Sequence, residues 1–171
     1  MAVIAHAVAV QLRGLGETVS TLAMMDSFVL SRTTHLVERT VTAGEVLGGL
    51  GIDSAHDSDV AELSVDSAMA LLRTMPAPFD ALSRERVQGI VDGIERSSAM
   101  LQAHEPEWFD GELLYFASVV DDPTGVAGAS TWAEFVDGKS TVTQVHSTHW
   151  QMASASALAE IGPVLDEWVS R

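Results

Sequence analysis

The chain predicts an α/β fold built on a thin parallel sheet, and three observations carry that expectation. Short β-like runs at 19–25, 112–120 and 140–145 alternate with longer stretches of helical periodicity. That order builds parallel strands joined by right-handed crossovers. The run ELLYFASVV at 112–120 is apolar on both faces, as a strand covered on both sides must be. Finally, His146 and His149 follow the last run and precede the last helical pattern. The loop after a strand's C-terminal end is where ligands collect in open α/β sheets. The stretch VTQVHSTHWQM at 142–152 is therefore the one around which the rest is organised.

Composition narrows the classes. A length of 171 residues suits one domain with a sizeable core. An apolar fraction of 47% is not that of a disordered chain. The formal net charge is −15, with 24 acidic residues against 9 basic ones. So acidic a surface repels phosphate backbones, so no nucleic-acid partner is expected. The absence of cysteine rules out disulfides, thiolate metal sites and a cysteine nucleophile. His6, His35, His56 and His104 are scattered without metal-ligand spacing, so no metal and no cofactor is expected. The N-terminal MAVIAHAVAV lacks a basic leader and is interrupted by His6, unlike a signal peptide. No run approaches the roughly 20 apolar residues of a membrane span. The expectation is a soluble cytoplasmic protein with no membrane partner.

Taken in order, residues 2–15 read as a helix, with Val3, Ala7 and Val10 on a wide apolar face that can extend to Ile4 and Val8, and with Gly14 and Gly16 bracketing its end. His6 is expected to pack against the sheet. Residues 19–25 (VSTLAMM) read as a strand buried on both faces, ended by Asp26-Ser27. Residues 33–104 look helical and insertion-like. Within them Ser64 is the expected N-cap of a helix through Met75, and Ser83 opens the strongest helix, with Val87, Ile90, Val91, Ile94 and Leu101 on a stripe. Residues 112–120 form the best strand, a short helix surrounds Trp132, and 140–145 alternate as an edge or half-buried strand does. The final helix runs over 154–169, and Gly162-Pro163 inside it is expected to kink or split it.

A hydrolytic triad needs a nucleophile, a base to take its proton and an acid to orient the base. His149 can be the base. Acid candidates follow strands: Asp26 after the first, Asp121 or Asp122 after the second. Asp26 also has the ordinary reading of a turn residue. No G-x-S-x-G occurs in the chain, and no serine follows a strand in a sharp glycine-flanked turn.

At this point the segments together resemble the C-terminal two-thirds of a type I thioesterase domain of non-ribosomal peptide synthetases. In that family a G-x-S-x-G-G elbow leads into a helix with a V-A-H-like start, then a strand ending in an L-L-D-S pattern. Here VIAHAVAVQLRGLGE and TLAMMDS hold those places. FDGELLYFAS (109–118) matches the strand after the family's helical lid, and TWAEFVDGKSTVTQV the Trp and short strand that follow. STHWQM and ALAEIGPVLDEW match the histidine loop and terminal helix.

The resemblance implies a partial α/β-hydrolase fold: the last three parallel strands, their flanking helices and a helical lid insertion at about 33–104, in a single domain over 1–171. It implies release of a peptidyl or acyl chain from a carrier protein's phosphopantetheine thioester, with Asp26 as triad acid and His149 as base. His149 rather than His146 is singled out by its register with Trp150 and Met152. Two departures stand out. Ser147 replaces the glycine usual two residues before the histidine. The family's nucleophile would also fall one or two residues before Met1, taking one oxyanion-hole N–H with it. The alternative expectation is therefore a catalytically inactive fragment or interaction protein.

Overall fold

The computed structural model describes residues 2–29, 65–74, 77, 79–120 and 122–170. The chain divides into two compact units, Met1–Thr34 with His104–Arg171, and His35–Ala103.

The first unit opens with helix α1, Ala2–Gly14. Its end is fixed by a glycine in the left-handed region, Gly16 at φ 86°. The Gly16 N–H reaches the Arg13 carbonyl at 2.9 Å and the Glu17 N–H the Leu12 carbonyl at 3.0 Å. This pair of bonds closes a helix over a glycine and satisfies carbonyls that would otherwise be left open. Arg13 reaches across to Asp110, its Nε 2.8 Å from Oδ1, and ties the helix end to the entrance of the central strand.

Strand β1 is Leu22–Met25, β2 is Leu113–Ser118 and β3 is Ser140–Val145. Among the described residues they form one sheet in the order β1-β2-β3. Both pairings are parallel, with Met25 beside Phe116 and Ser118 beside Val145. Every β2 residue is buried, as the sequence predicts for a central strand. Each fully buried apolar side chain there is worth about 1.5–3 kcal/mol relative to exposure. β1 departs from expectation. It is shorter than 19–25, and only Leu22 and Met24 are buried, whereas Met25 is 46% exposed. Its burial alternates along the strand, so one of its faces is covered and the other is not, and among the described residues it pairs with β2 alone.

One face of the sheet packs Leu22, Met24, Leu113, Tyr115 and Ala117 against Ala9 of α1 and against Trp132 and Phe135. The opposite face packs Leu114, Phe116 and Val145 against Met152, Ala157, Ile161 and Trp168. Trp132 ends helix α4, Ala127–Trp132, and the last three of those partners lie on α5, Ala155–Val169. Ser154 caps α5 by accepting the Ala157 N–H at 3.3 Å. Of the kink or split expected at Pro163, the split does not occur, and the helix runs through the proline. Its missing N–H removes one bond of the ladder, and burial of Ile161 and Trp168 on either side of it holds the helix together. The outer side of α1 is less usual: Ile4, Val8, Leu12 and Leu15 are exposed along one stripe.

In the second unit, α2 (Val65–Leu72) and α3 (Arg84–Ala103) pack through Ala68, Leu72, Val87 and Val91. Ser83 opens α3 by accepting the Arg86 N–H at 3.4 Å. The first part of the expected insertion, 33–64, lies outside the described residues, and with it His35, His56 and the expected cap Ser64.

Candidate functional site

Three parallel neighbours end at the same edge of the sheet. Asp26 immediately follows β1, Ser118 is the last residue of β2, and His149 lies four residues beyond β3. The site is assembled from these three strand ends.

Asp26 adopts φ 37°, a left-handed conformation uncommon for a residue with a side chain. Aspartate tolerates it better than most, and such outliers persist only where their surroundings fix them. Here the fixing is dense. The Asp26 N–H donates to the Phe116 carbonyl at 2.8 Å. Its carboxylate accepts the Ser118 N–H at 3.1 Å through Oδ1 and the Ser118 hydroxyl at 2.9 Å through Oδ2. The same Oδ2 lies 2.9 Å from Nδ1 of His149. Burial pushes the carboxyl toward its neutral form, but the hydrogen bonds from His149 and Ser118 outweigh it and hold Asp26 below the usual carboxylate range.

The loop leaving Asp26 is clamped from the helical side. The Ser27 carbonyl accepts the Tyr115 hydroxyl at 2.8 Å and the Trp132 indole N–H at 3.1 Å. The Val29 N–H donates to the Thr131 hydroxyl at 3.0 Å. Gly128 lets α4 approach this closely, because a Cβ there would collide with the Tyr115 hydroxyl. Burial and the nearby Asp26 charge hold the Tyr115 phenol neutral well above its ordinary range, so it serves here as a donor.

His149 begins a short 3-10 turn, His149–Gln151, in the loop between β3 and α5. The Val120 N–H donates to the Ser147 carbonyl at 3.3 Å, tying this loop to the end of β2. Met152 is buried beneath it, with the Ser147 hydroxyl 2.9 Å from its sulfur. Trp150 stacks edge-on against the His149 ring, with centroids 4.9 Å apart. The His149 side chain is 43% exposed, whereas Asp26 is 8% exposed. An ionised carboxylate is acceptor-only, so it selects the tautomer with the proton on Nδ1. The Nε2 lone pair of the neutral ring is then the basic position, held by a buried acid.

Asp26 and His149, the two residues the resemblance singles out, are thus brought together. The other candidates are not. Asp122 spends its carboxylate on its own turn, accepting the Thr124 N–H at 3.0 Å and the Ala127 N–H at 2.9 Å. Asp121 lies outside the described residues. His146 is exposed, its backbone N–H held by Glu160 at 3.2 Å. His6 is fully buried in α1 between Phe109 and Trp132, as expected of a residue packed on the sheet. No cluster of three or more His, Asp or Glu fit for a metal occurs among the described residues. Among them, no helix is long and apolar enough to cross a membrane. Ser118 went unnoticed in the sequence. The available signal was its place near the C-terminal end of the most apolar run, in the strand position that pairs with Val145.

No family model matches the chain. In sequence it is 25% identical over 167 residues to a dimodular nonribosomal peptide synthase of Bacillus subtilis (strain 168), covering 95% of this chain and 7% of that protein. It is likewise 25% identical over 172 residues to CymA, a probable non-canonical nonribosomal peptide synthetase of Salinispora arenicola, covering 96% of this chain and 2% of that protein. The chain thus spans a small part of the curated relatives it matches. In structure it is similar to the Vlm2 thioesterase domain at TM-score 0.62 and 17% identity, over 97% of this chain and 62% of that one. Against the NocB thioesterase domain the TM-score is 0.62 at 16% identity, over 99% of this chain and 61% of that one. A four-domain nonribosomal peptide synthetase gives a TM-score of 0.69 at 16% identity, over 96% of this chain and 13% of that one. The fold class is therefore the α/β-hydrolase fold of these thioesterase domains. The resemblance to non-ribosomal peptide synthetase thioesterase domains extends over nearly the whole chain.

Proposed function

We propose that the chain carries the acid–base half of a thioesterase site that releases a peptidyl or acyl chain from the phosphopantetheine arm of a carrier protein. The observation that supports this reading is the 2.9 Å pairing of His149 Nδ1 with a buried Asp26 carboxylate at adjacent strand ends. In the reaction, a serine hydroxyl attacks the thioester carbonyl while Nε2 of His149 takes its proton. That proton passes to the departing pantetheine sulfur, leaving an acyl-enzyme. Water or a nucleophile within the acyl chain then displaces the serine, again through His149. Asp26 holds the ring and stabilises the imidazolium that forms, without itself taking the proton.

The serine belongs, in this proposal, to a G-x-S-x-G segment outside the 171 residues. The stretch at about 33–104 takes the part of the lid, and the reaction runs in the cytoplasm beside the carrier domain. A second reading is favoured by the lack of any G-x-S-x-G in the chain: taken by itself, it is an inactive fragment or interaction protein. Both are tested by one comparison, hydrolysis of a short acyl-pantetheine thioester by this chain alone and by a polypeptide that joins it to the in-frame upstream codons. Turnover by the longer polypeptide, lost in His149→Ala, supports the thioesterase. Serine-reagent-sensitive turnover by the chain alone overturns the external nucleophile. Turnover that survives His149→Ala overturns the assignment of the base.

A further inference from the structure

We propose that Ser118 is a positioning residue of this site, clamping both oxygens of the Asp26 carboxylate so that Oδ2 faces the His149 ring. The inference rests on reading Asp26 and His149 as an acid–base pair. A carboxylate turns about a broad, soft torsion, so one contact does not set its plane. Ser118 supplies two donors to two oxygens, its backbone N–H to Oδ1 at 3.1 Å and its hydroxyl to Oδ2 at 2.9 Å. The His149 Nδ1 then meets Oδ2 at 2.9 Å.

Ser118 is itself rigid. It is 1% exposed, and its strand position is fixed by pairing with Val145. It also joins the other two strand ends, since the next residue's N–H, Val119, donates to the Val145 carbonyl at 3.1 Å. Asp26 is thereby tied through β2 to the strand that leads into the His149 loop. The geometry separates this part from that of a nucleophile. The Ser118 hydroxyl bonds the carboxylate oxygen that meets Nδ1, whereas a nucleophile stands at Nε2. The titratable groups influencing or influenced by Asp26 are His149, which lowers its pKa, and the Tyr115 phenol. Tyr115 gives its hydrogen bond to Ser27 and stays neutral, so among the described residues the hydroxyl of Ser118 and the ring of His149 are the side-chain donors on this carboxylate.

The test is an NMR titration of the Asp26 carboxyl carbon in the 171-residue chain, together with the exchange rate of the His149 Nδ1–H. Ser118→Ala should raise the Asp26 midpoint by about one pH unit, the scale of one lost charge-assisted bond. It should also speed Nδ1–H exchange about tenfold. Ser118→Thr, which keeps the hydroxyl, should restore both. Ser118→Cys keeps the volume with a weaker donor and should shift both the same way, which covers the case in which alanine unfolds the chain. Wild-type values in the Ala and Cys variants overturn the role of Ser118. An Asp26 midpoint indifferent to His149→Gln overturns the acid–base pair beneath it.

Discussion

Nδ1 of His149 meets Oδ2 of Asp26 at 2.9 Å although 123 positions separate them in the chain. The acid sits on a left-handed residue at φ 37°, so its direction is set by backbone conformation as much as by its side chain. The pairing follows from topology. Parallel strands put all their C-terminal ends on one edge, and β1 and β3 flank the same central strand.

Asp26→Asn keeps a side chain tolerant of the left-handed conformation while changing the hydrogen-bond pattern. The amide nitrogen is a donor, and turned toward His149 it selects the tautomer with the proton on Nε2. The base is then blocked. In a polypeptide that includes the nucleophile, kcat should fall by roughly 10⁴, the scale found when a triad acid is neutralised. The circular dichroism spectrum should be retained. A loss under tenfold would show that Asp26 does not orient the base.

The pH dependence of stability should carry two limbs. Asp26 has a folded pKa below its unfolded one. Its contribution is therefore complete above the ordinary carboxylate value, about 3.9, and is lost as pH falls through the lower folded value. His6 is also lowered, chiefly by burial. For a histidine this means the unfolded chain takes a proton that the folded one refuses. Stability is complete above about pH 6.5 and declines as pH falls below it. Urea midpoints should thus drop between about pH 7.5 and about pH 5.5 in the wild type and drop less in His6→Gln. Equal slopes in the two proteins would remove His6 from this limb.

Most of this arrangement was legible in the sequence, for physical reasons. The doubly apolar 112–120 run could only be central, and the alternation at 140–145 matched β3 residue for residue. The resemblance marked Asp26 and His149 as a pair, and their contact follows from the parallel order. The misses share a cause. The length and half-open face of β1 depend on which neighbour it finds, since its pairing begins only where Leu22 meets Leu113. Pro163 has an unfavourable local signal that burial on the sheet overrides. Ser118 has no signal beyond its place near the end of the most apolar run, because its part arises where two other strands end beside it.

Gly128→Ala tests the clamp on the Asp26 loop. The added Cβ would collide with the Tyr115 hydroxyl and lie 2.9 Å from the Ser27 carbonyl oxygen. Overpacking of this kind costs about 1–3 kcal/mol, and here it also breaks the Tyr115–Ser27 bond. Tyr115→Phe removes the atom in the way. The alanine should therefore cost less in that background than in the wild type, a non-additivity expected of residues in contact. Additive urea midpoints would mean that the collision is relieved elsewhere.

The exposed stripe of Ile4, Val8 and Leu12 on α1, continued by Leu15, together with the edge of β1 that is unpaired among the described residues, predicts self-association of the isolated chain. Exposed apolar patches and open strand edges both invite it. The net charge of −15 opposes it. Charge repulsion is screened beyond about 8 Å at physiological ionic strength, while apolar contact is not. The balance should therefore tip with salt. Light scattering should give a mass above that of one chain that rises with both protein and salt concentration. Ile4→Lys combined with Val8→Lys should bring it down, although the added positive charge lowers the net repulsion. That opposition makes the variant informative: if association were set by charge, the two lysines would increase it, and if by the apolar stripe, they would reduce it. A single-chain mass at every salt concentration would mean that neither the stripe nor the edge is adhesive.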